Sequence, residues 1–150
     1  MSIIANYSKC KYFDSSFVDV YYSDIWKRAD LKKFNEYGIS YLKNKFKIRA
    51  DIVRASELDM KSNLNSTELL IEILEVLGAD TYISGLGGKK YLDGTRFSEK
   101  KIELTYLEFK PFRYGQRWEG FEPYMSALDL LFNMGTDINF QEMSQLDWLK

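Results

Sequence analysis

The stretch from Thr67 to Gly88 constrains the fold more than any other part of the chain. It begins with an amphipathic run, Thr67 to Leu77, whose apolar residues recur at helical spacing, and Gly78 follows where glycine commonly ends a helix. A short β-prone run, Asp80 to Ser84, comes next and leads directly into a loop that contains three glycines. A helix, a strand and a glycine-rich loop in this order are typical of α/β proteins.

Further helices and strands are predicted on both sides of this stretch. Apolar spacing predicts helices over Ser16–Trp26, Asp30–Phe46, 67–77, parts of 89–100, 127–134 and 137–149. Strands are predicted at 48–55, 80–84 and 102–109. This order predicts an α/β fold, a three-layer domain with a short, mainly parallel sheet flanked by helices. Because the chain has 150 residues and no evident linker or repeat, we expect a single domain over residues 1–150.

The chain contains no histidine and a single cysteine, Cys10. These counts exclude Ser-His-Asp and Cys-His catalysis within the chain, and they leave too few thiolates for a zinc site. They also exclude an intrachain disulfide, which favours a reducing compartment. Acid–base chemistry must therefore fall to Asp, Glu, Lys or Tyr, and Cys10 itself is expected to be inert.

Acidic and basic residues are interspersed along the chain, and the net charge is −1. No basic face is evident, so the composition argues against a nucleic-acid partner. The first residues lack the apolar core of a signal peptide, and no apolar run approaches transmembrane length. We therefore expect a cytoplasmic protein without a membrane span.

The glycine-rich loop is the first candidate site. Its glycines would allow positive φ and close approach to a ligand, and its backbone amides and lysines would meet an anion. The spacing fits neither a dinucleotide fingerprint nor a P-loop, so a plain turn is an equally good interpretation of the local pattern. The candidate substrate-binding residues here are Ser84, Gly85, Gly87, Gly88, Lys89, Lys90 and Tyr91.

Two other polar segments follow predicted strands. Ser56 and Glu57 come directly after strand 48–55, and an aromatic loop with Tyr114, Gln116 and Arg117 follows strand 102–109. Because ligands in open α/β sheets bind outside the carboxyl ends of the strands, these segments are expected to gather near the glycine-rich loop. The alternatives are an ordinary surface for the first segment and a loop packed on the sheet for the second.

Several acidic and hydroxyl residues lie near predicted helix starts. Asp93 could orient a substrate hydroxyl, although capping the following helix is the commoner role of such an aspartate. Ser126 and Asp129 could be catalytic, but Ser-x-x-Asp at a helix start is also a capping box, and we favour the cap.

Several short motifs together resemble the WbqC-like protein family of bacteria. The resemblance covers about residues 7–135 and is best from 79 to 135. The most specific signal is the run from Ser126 to Gly135. The motifs are Tyr82-Ile83-Ser84-Gly85, Tyr91-Leu92-Asp93, Tyr114-x-Gln116, Phe121-x-Pro123 and Ser126-Ala127-Leu128-Asp129-Leu130-Leu131-Phe132-Asn133-x-Gly135.

This resemblance implies a role in the biosynthesis of O-antigen or related surface polysaccharides, for which an amino-acid (glycine) transferase activity has been suggested. We therefore expect a transferase that acts on a nucleotide sugar or glycan precursor, with Glu57 or Asp93 in acid–base roles. The substrate would be bound by Ser56, the residues of the glycine-rich loop, Tyr114, Gln116 and Arg117. No metal site and no particular cofactor are indicated.

The alternative is a non-catalytic binding or interaction module, or one half of a split enzyme. The family pattern opens with a His-Gln-Pro-like segment that has no counterpart in this chain, so the resemblance is to the C-terminal part of the family. The expected macromolecular partner is a second copy of the chain or a separate N-terminal half.

Overall fold

The computed structural model describes residues 2–25, 30–60, 64, 66–138 and 145–149. It divides into two compact units, which we call the first unit (Met1–Ala50 and Pro111–Ser144) and the second unit (Asp51–Lys110 and Gln145–Lys150). The organisation of residues 1–150 as a single domain stays a prediction.

The second unit contains the sheet. Its elements are α4 (Ser66–Leu77), β1 (Thr81–Gly85), a 3₁₀ turn (Leu86–Lys90), α5 (Gly94–Glu99), β2 (Glu103–Lys110) and β3 (Gln145–Leu149). Strand β2 lies in the centre, parallel to β1 and antiparallel to β3. The register places Thr81 beside Glu103 and Gly85 beside Leu107.

The core of the second unit joins both helices to one face of the sheet. Ile71 and Leu74 of α4 are buried against Phe97 of α5 and Ile102, with Tyr82 and Leu104 packed on them. The rings of Tyr82 and Phe97 stack with their centroids 5.7 Å apart. The apolar face that the pattern of residues 67–77 predicts is therefore the face of α4 that packs on the sheet.

The first unit is helical. Its elements are α1 (Ser2–Tyr7), α2 (Ser15–Asp19), which continues as a π-helix (Val20–Ile25), α3 (Leu31–Lys45) and α6 (Ala127–Met134). Phe17 and Val18 of α2 are buried against Leu131 and Phe132 of α6. The Phe17 ring also stacks on the Tyr41 ring of α3, with centroids 4.1 Å apart. Aromatic residues therefore join the three longest helical segments of this unit.

Helix ends follow ordinary capping chemistry. The carboxylates of Asp14 and Asp30 cap α2 and α3 by accepting hydrogen bonds from the Phe17 and Lys33 amides, at 3.2 and 3.1 Å. Helices α4 and α6 end at Gly78 (φ 65°) and Gly135 (φ 79°), in the left-handed region that glycine tolerates best.

The predicted α/β fold with a small parallel sheet is confirmed, and so are the helix over 67–77 and the strands near 80–84 and 102–109. The predicted helix over Ser16–Trp26 begins one residue earlier, at Ser15, and becomes a π-helix at Val20. Its N-cap is Asp14, and Trp26 lies outside the described residues.

Two predicted elements are wrong. Residues 48–54 form no strand, and the segment ends in a 3₁₀ turn at Ala55–Glu57. Ile52 and Val53 are more than half exposed, so the segment lacks the buried face that a strand in this sheet would need.

The helix predicted over 137–149 is also absent where the structure can be described. Asp137 and Ile138 are not helical, residues 139–144 lie outside the described residues, and Gln145–Leu149 forms β3. The alternation of Leu146 and Trp148 with polar neighbours has the period of a strand. Pairing with β2 therefore decided the conformation of this segment. Throughout the described residues, no helix is both long and apolar enough to cross a membrane.

Candidate functional site

The glycine-rich loop forms a tight turn in the second unit. Ser84 is only 6% exposed, and its hydroxyl donates a hydrogen bond to the Gly85 carbonyl at 3.1 Å. The 3₁₀ turn follows at once, and the amides of Tyr91 and Leu92 both donate to the Gly88 carbonyl, at 3.1 and 2.9 Å. The turn therefore closes mainly on its own backbone.

The glycines of this loop meet a different need from the one expected. Gly85 has φ −69°, and the glycines with positive φ are Gly78, Gly120 and Gly135. Gly88 is required for space, because a Cβ there would lie 2.2 Å from the Ser84 Oγ and 2.8 Å from a Leu92 methyl carbon. A Cβ at Gly85 or Gly87 would meet nothing within 4 Å.

The cationic and aromatic residues after the loop are on the surface. Lys89, Lys90 and Tyr91 are exposed, and the Lys89 ammonium lies 5.2 Å from the centroid of the Tyr106 ring. These side chains are accessible to a dissolved anion. Their role in substrate binding stays a prediction.

The two carboxylates predicted to be catalytic both have nearby partners. Glu57 is exposed beside the exposed Ser56 and pairs with the Arg54 guanidinium at 2.6 Å. The Asp93 carboxylate caps α5 by accepting from the Thr95 amide at 3.0 Å, and it lies 3.7 Å from the Arg96 guanidinium. Asp93 thus performs the capping role, while a catalytic role for either residue stays a prediction.

The aromatic loop of the first unit leads to a buried carboxylate. Tyr114 donates a hydrogen bond to the Asp129 Oδ2 at 2.5 Å, and the Gln116 amide donates to the same oxygen at 3.1 Å. The Tyr7 hydroxyl also hydrogen-bonds Asp129, and the Asn133 amide donates to Oδ1 at 3.1 Å. We call these five residues the Asp129 cluster.

Neighbouring bonds hold the Asp129 cluster in position. The Gln116 side chain donates to the Glu122 carbonyl at 2.9 Å and accepts from the Glu122 amide at 2.8 Å. The third predicted residue of this loop, Arg117, donates to the Asn6 carbonyl at 2.9 Å. Arg117 therefore joins the aromatic loop to α1 within the first unit.

Asp129 is 5% exposed, and the donors named above are neutral phenols and amides. Burial, and then the hydrogen bond to Asp129, raises the pKa of Tyr7 and that of Tyr114 to about 12 each. Both phenols therefore keep their protons near neutral pH and act as donors. A buried carboxylate held by phenols is able to accept a proton through one of them.

The sequence predicts Tyr114 and Gln116 as site residues, whereas its Ser-x-x-Asp pattern favours a capping role for Asp129. Ser126 does cap α6, since its hydroxyl oxygen accepts from the Leu128 amide at 3.2 Å. The Asp129 carboxylate instead binds side chains from positions 7, 114, 116 and 133. The available signal is the Tyr114-x-Gln116 motif, because each of these polar side chains needs a hydrogen-bond partner once it is buried.

Within the described residues, no group of three or more Cys, Asp or Glu side chains is arranged to hold a metal ion.

Comparison with known proteins gives a family match. The model of the WbqC-like protein family matches residues 1–139. The uncharacterized protein Rv1507c of Mycobacterium tuberculosis is 37% identical over 84 residues, which cover 55% of this chain and 36% of that protein. The chain therefore spans about a third of the length of this curated relative. No solved structure matches the chain.

Proposed function

Because this chain belongs to the WbqC-like protein family, we propose that it acts as a transferase on a nucleotide sugar or glycan precursor in bacterial surface-polysaccharide biosynthesis. The observation that carries the proposal is the Asp129 cluster, in which a buried carboxylate accepts hydrogen bonds from two phenols. Transfer of an aminoacyl group to a sugar amine or hydroxyl requires a base, and in a chain without histidine this base comes from Asp, Glu, Lys or Tyr.

In this proposal the sugar nucleophile attacks the carbonyl carbon of an activated aminoacyl donor. The new bond joins the sugar nitrogen or oxygen to that carbon, and the bond to the donor's leaving group breaks with its electron pair. The nucleophile's proton passes to the Tyr114 oxygen while the Tyr114 proton moves to Asp129. Tyr114 stays neutral at the end of the step, which agrees with its raised pKa.

The residues predicted from sequence complete the proposal as binding groups. Lys89 and Lys90 would pair with a phosphate of the substrate, since ammonium groups form strong charge-assisted hydrogen bonds with phosphate. Glu57 and Asp93 remain the alternative acid–base residues, although each carries a local structural contact.

The test is an activity assay with four variants compared side by side. The purified chain, alone and with the product of an adjacent reading frame, is incubated with nucleotide sugars and activated amino acids, and products are detected by mass spectrometry. We expect Asp129→Asn and Tyr114→Phe to lose about 10²–10⁴-fold in rate, the usual contribution of acid–base catalysis. Glu57→Gln and Asp93→Asn should stay close to wild type.

Two outcomes would overturn this assignment. If Glu57→Gln or Asp93→Asn loses activity while Asp129→Asn keeps it, the acid–base group is the one predicted from sequence. If the wild type forms no product in either condition, the transferase proposal itself is wrong.

A non-catalytic interaction module is the second candidate function. The observation that favours it is the number of large apolar side chains exposed in the first unit, among them Leu31, Ile39, Trp118 and Tyr124. Exposed apolar groups mark interaction surfaces when they are contiguous. Light scattering would show a dimer or a complex with a companion chain, and a clean monomer that captures no companion would rule this function out.

A further inference from the structure

A cleft of about 440 Å³ opens within the first unit, where the chain before α2 meets the end of α3 and the residues after α6. Tyr12, Asp14, Ser16, Tyr41, Lys45 and Thr136 line it. The volume is within the range of small-ligand sites. None of these residues belongs to the Asp129 cluster or to the substrate-binding residues predicted from sequence.

Asp14 organises the polar wall of this cleft. One carboxylate oxygen accepts from the Ser16 hydroxyl at 2.5 Å, and the other accepts from the Tyr41 hydroxyl at 2.8 Å and lies 3.0 Å from the Lys45 ammonium. With the Phe17 amide, this makes four contacts, which fill the acceptor capacity of a carboxylate. Asp14 therefore orients its neighbours, and those neighbours keep free capacity for a ligand.

The hydrogen-bonding capacity that these neighbours keep includes both donors and acceptors. An ammonium has three protons, so Lys45 keeps two after its contact with Asp14, while the Tyr41 and Ser16 oxygens each keep lone pairs. The two charged residues of the lining, Asp14 and Lys45, cancel. A ligand with a net charge gains no net attraction here, whereas a neutral ligand with hydroxyl groups matches both kinds of group.

Tyr12 supplies an aromatic surface at the edge of the cleft. It is 43% exposed, and its ring packs on Gly135, where a Cβ would lie 2.9 Å from two ring carbons. Gly135 permits the ring position because it has no side chain. The Lys11 ammonium lies 5.0 Å from the centroid of the same ring, and Lys11 does not line the cleft.

We propose that this cleft binds a neutral sugar ring, with its apolar C–H face on Tyr12 and its hydroxyl groups on Lys45, Tyr41 and Ser16. The combination of an exposed aromatic ring with paired donors and acceptors of zero net charge suits a polyhydroxylated ring better than a phosphate, a carboxylate or an ammonium compound. The inference does not rest on the transferase proposal, since a binding module would use the same cleft.

Saturation-transfer NMR on the whole chain tests the proposal. The probes are glucose, galactose and N-acetylglucosamine, with glucuronate as the charged comparison. We expect saturable binding of at least one neutral sugar and weaker binding of glucuronate. Tyr12→Ala should weaken sugar binding by about tenfold or more, whereas Tyr12→Phe should keep it, because the ring is retained.

Variants on α3 make the test specific to the cleft. Lys45→Met should weaken binding by about tenfold through the loss of a charged donor, and Lys45→Arg should preserve most of it. Lys43→Met is the matched control, since Lys43 lies on the same helix but does not line the cleft. Thermal melts establish that each variant is folded, and if Tyr12→Ala is not, the lysine series decides.

Three results would overturn the proposal. They are the absence of binding by all three neutral sugars, tighter binding of glucuronate than of any neutral sugar, and unchanged sugar affinity in folded Lys45→Met.

Discussion

Asp93 in the second unit and Asp129 in the first are carboxylates near the starts of helices α5 and α6, yet their surroundings differ. Asp93 is exposed and binds the amide two residues later and the guanidinium three residues later. Asp129 is buried and binds side chains from α1, from the aromatic loop and from its own helix. One carboxylate completes a local structure, and the other joins distant segments.

The same contrast separates the two regions around these residues. The glycine-rich loop closes on its own backbone through Gly88 and the buried Ser84 hydroxyl. The aromatic loop instead depends on Asp129 as a common acceptor for Tyr114 and Gln116. Local contacts are replaceable by water when they are exposed, whereas buried donors that lose their acceptor keep an uncompensated desolvation cost.

The largest expected effect is therefore at Asp129. Asp129→Ala removes the acceptor of two phenols and two amides in a buried site, and we expect it to lower the free energy of unfolding by about 2–4 kcal/mol. Asp93→Ala is the comparison and should cost about 1 kcal/mol, the usual loss of an N-cap. Urea denaturation at pH 7 measures both. Equal losses at the two positions would remove the distinction between local and distant partners.

Adjacent glycines provide the second test, within the glycine-rich loop. Gly88→Ala places a Cβ against Ser84 and Leu92 and should cost about 1–3 kcal/mol through overpacking. Gly87→Ala meets open space and should change stability by less than about 0.5 kcal/mol. Thermal melts of the two variants measure both changes in stability. A large loss at Gly87 would contradict the open space around this position.

Asp14 is intermediate, because its carboxylate has local partners in Ser16 and Phe17 and distant partners in Tyr41 and Lys45. Burial raises its pKa, but the hydrogen bonds from these four residues outweigh burial and hold the pKa below its usual value. A lowered pKa contributes stability above the unfolded-state value of about 3.9, and this contribution is lost as the pH falls.

We therefore expect Asp14→Ala to destabilise the chain by about 1–2 kcal/mol at pH 7, and this difference should shrink below about pH 4. Denaturant unfolding at pH 7 and pH 3 measures it. Asp30→Ala is the comparison, because Asp30 caps α3 with local partners alone. The hydrogen bond from the Lys33 amide also lowers the pKa of Asp30, so its loss should shrink with pH in the same direction. A difference that stays constant with pH would show that charge on Asp14 is not what stabilises α2.

Local patterns were sufficient for much of the fold. The helix over 67–77, its Gly78 stop and the paired strands β1 and β2 all carry periodicity or turn chemistry within a few residues. The segment 48–55 and the end of the chain were predicted incorrectly because their conformation depends on a partner. Ile52 and Val53 have β-branched side chains typical of a strand, but they pair with no strand among the described residues. Gln145–Leu149, in contrast, pairs with β2.

The candidate site shows the same limit more clearly. Tyr114 and Gln116 were found from their motif, but their partner Asp129 was assigned to a cap, because Ser-x-x-Asp describes that role equally well in a sequence. Its burial follows from the packing of α6 through Leu131 and Phe132, which Tyr7 also contacts. Only the folded first unit brings positions 7, 114 and 129 together.

Small effects on stability are expected at Lys89 and Lys90, where the binding of a ligand separates a ligand site from a solvated turn. Lys90→Ala should leave the free energy of unfolding within about 0.5 kcal/mol, as for other exposed charges. Lys89→Ala should lower the free energy of unfolding by about 0.5–1 kcal/mol, because the Lys89 ammonium lies over the Tyr106 ring.

If either lysine also contacts a phosphate, its replacement should weaken binding of a nucleotide sugar by about 1–3 kcal/mol while the fold is preserved. Calorimetric titration beside thermal melts measures both quantities on the same samples. Nucleotide-sugar affinity that is unchanged in both variants would leave Lys89 with a packing role on Tyr106, and the glycine-rich loop would then be a structural turn.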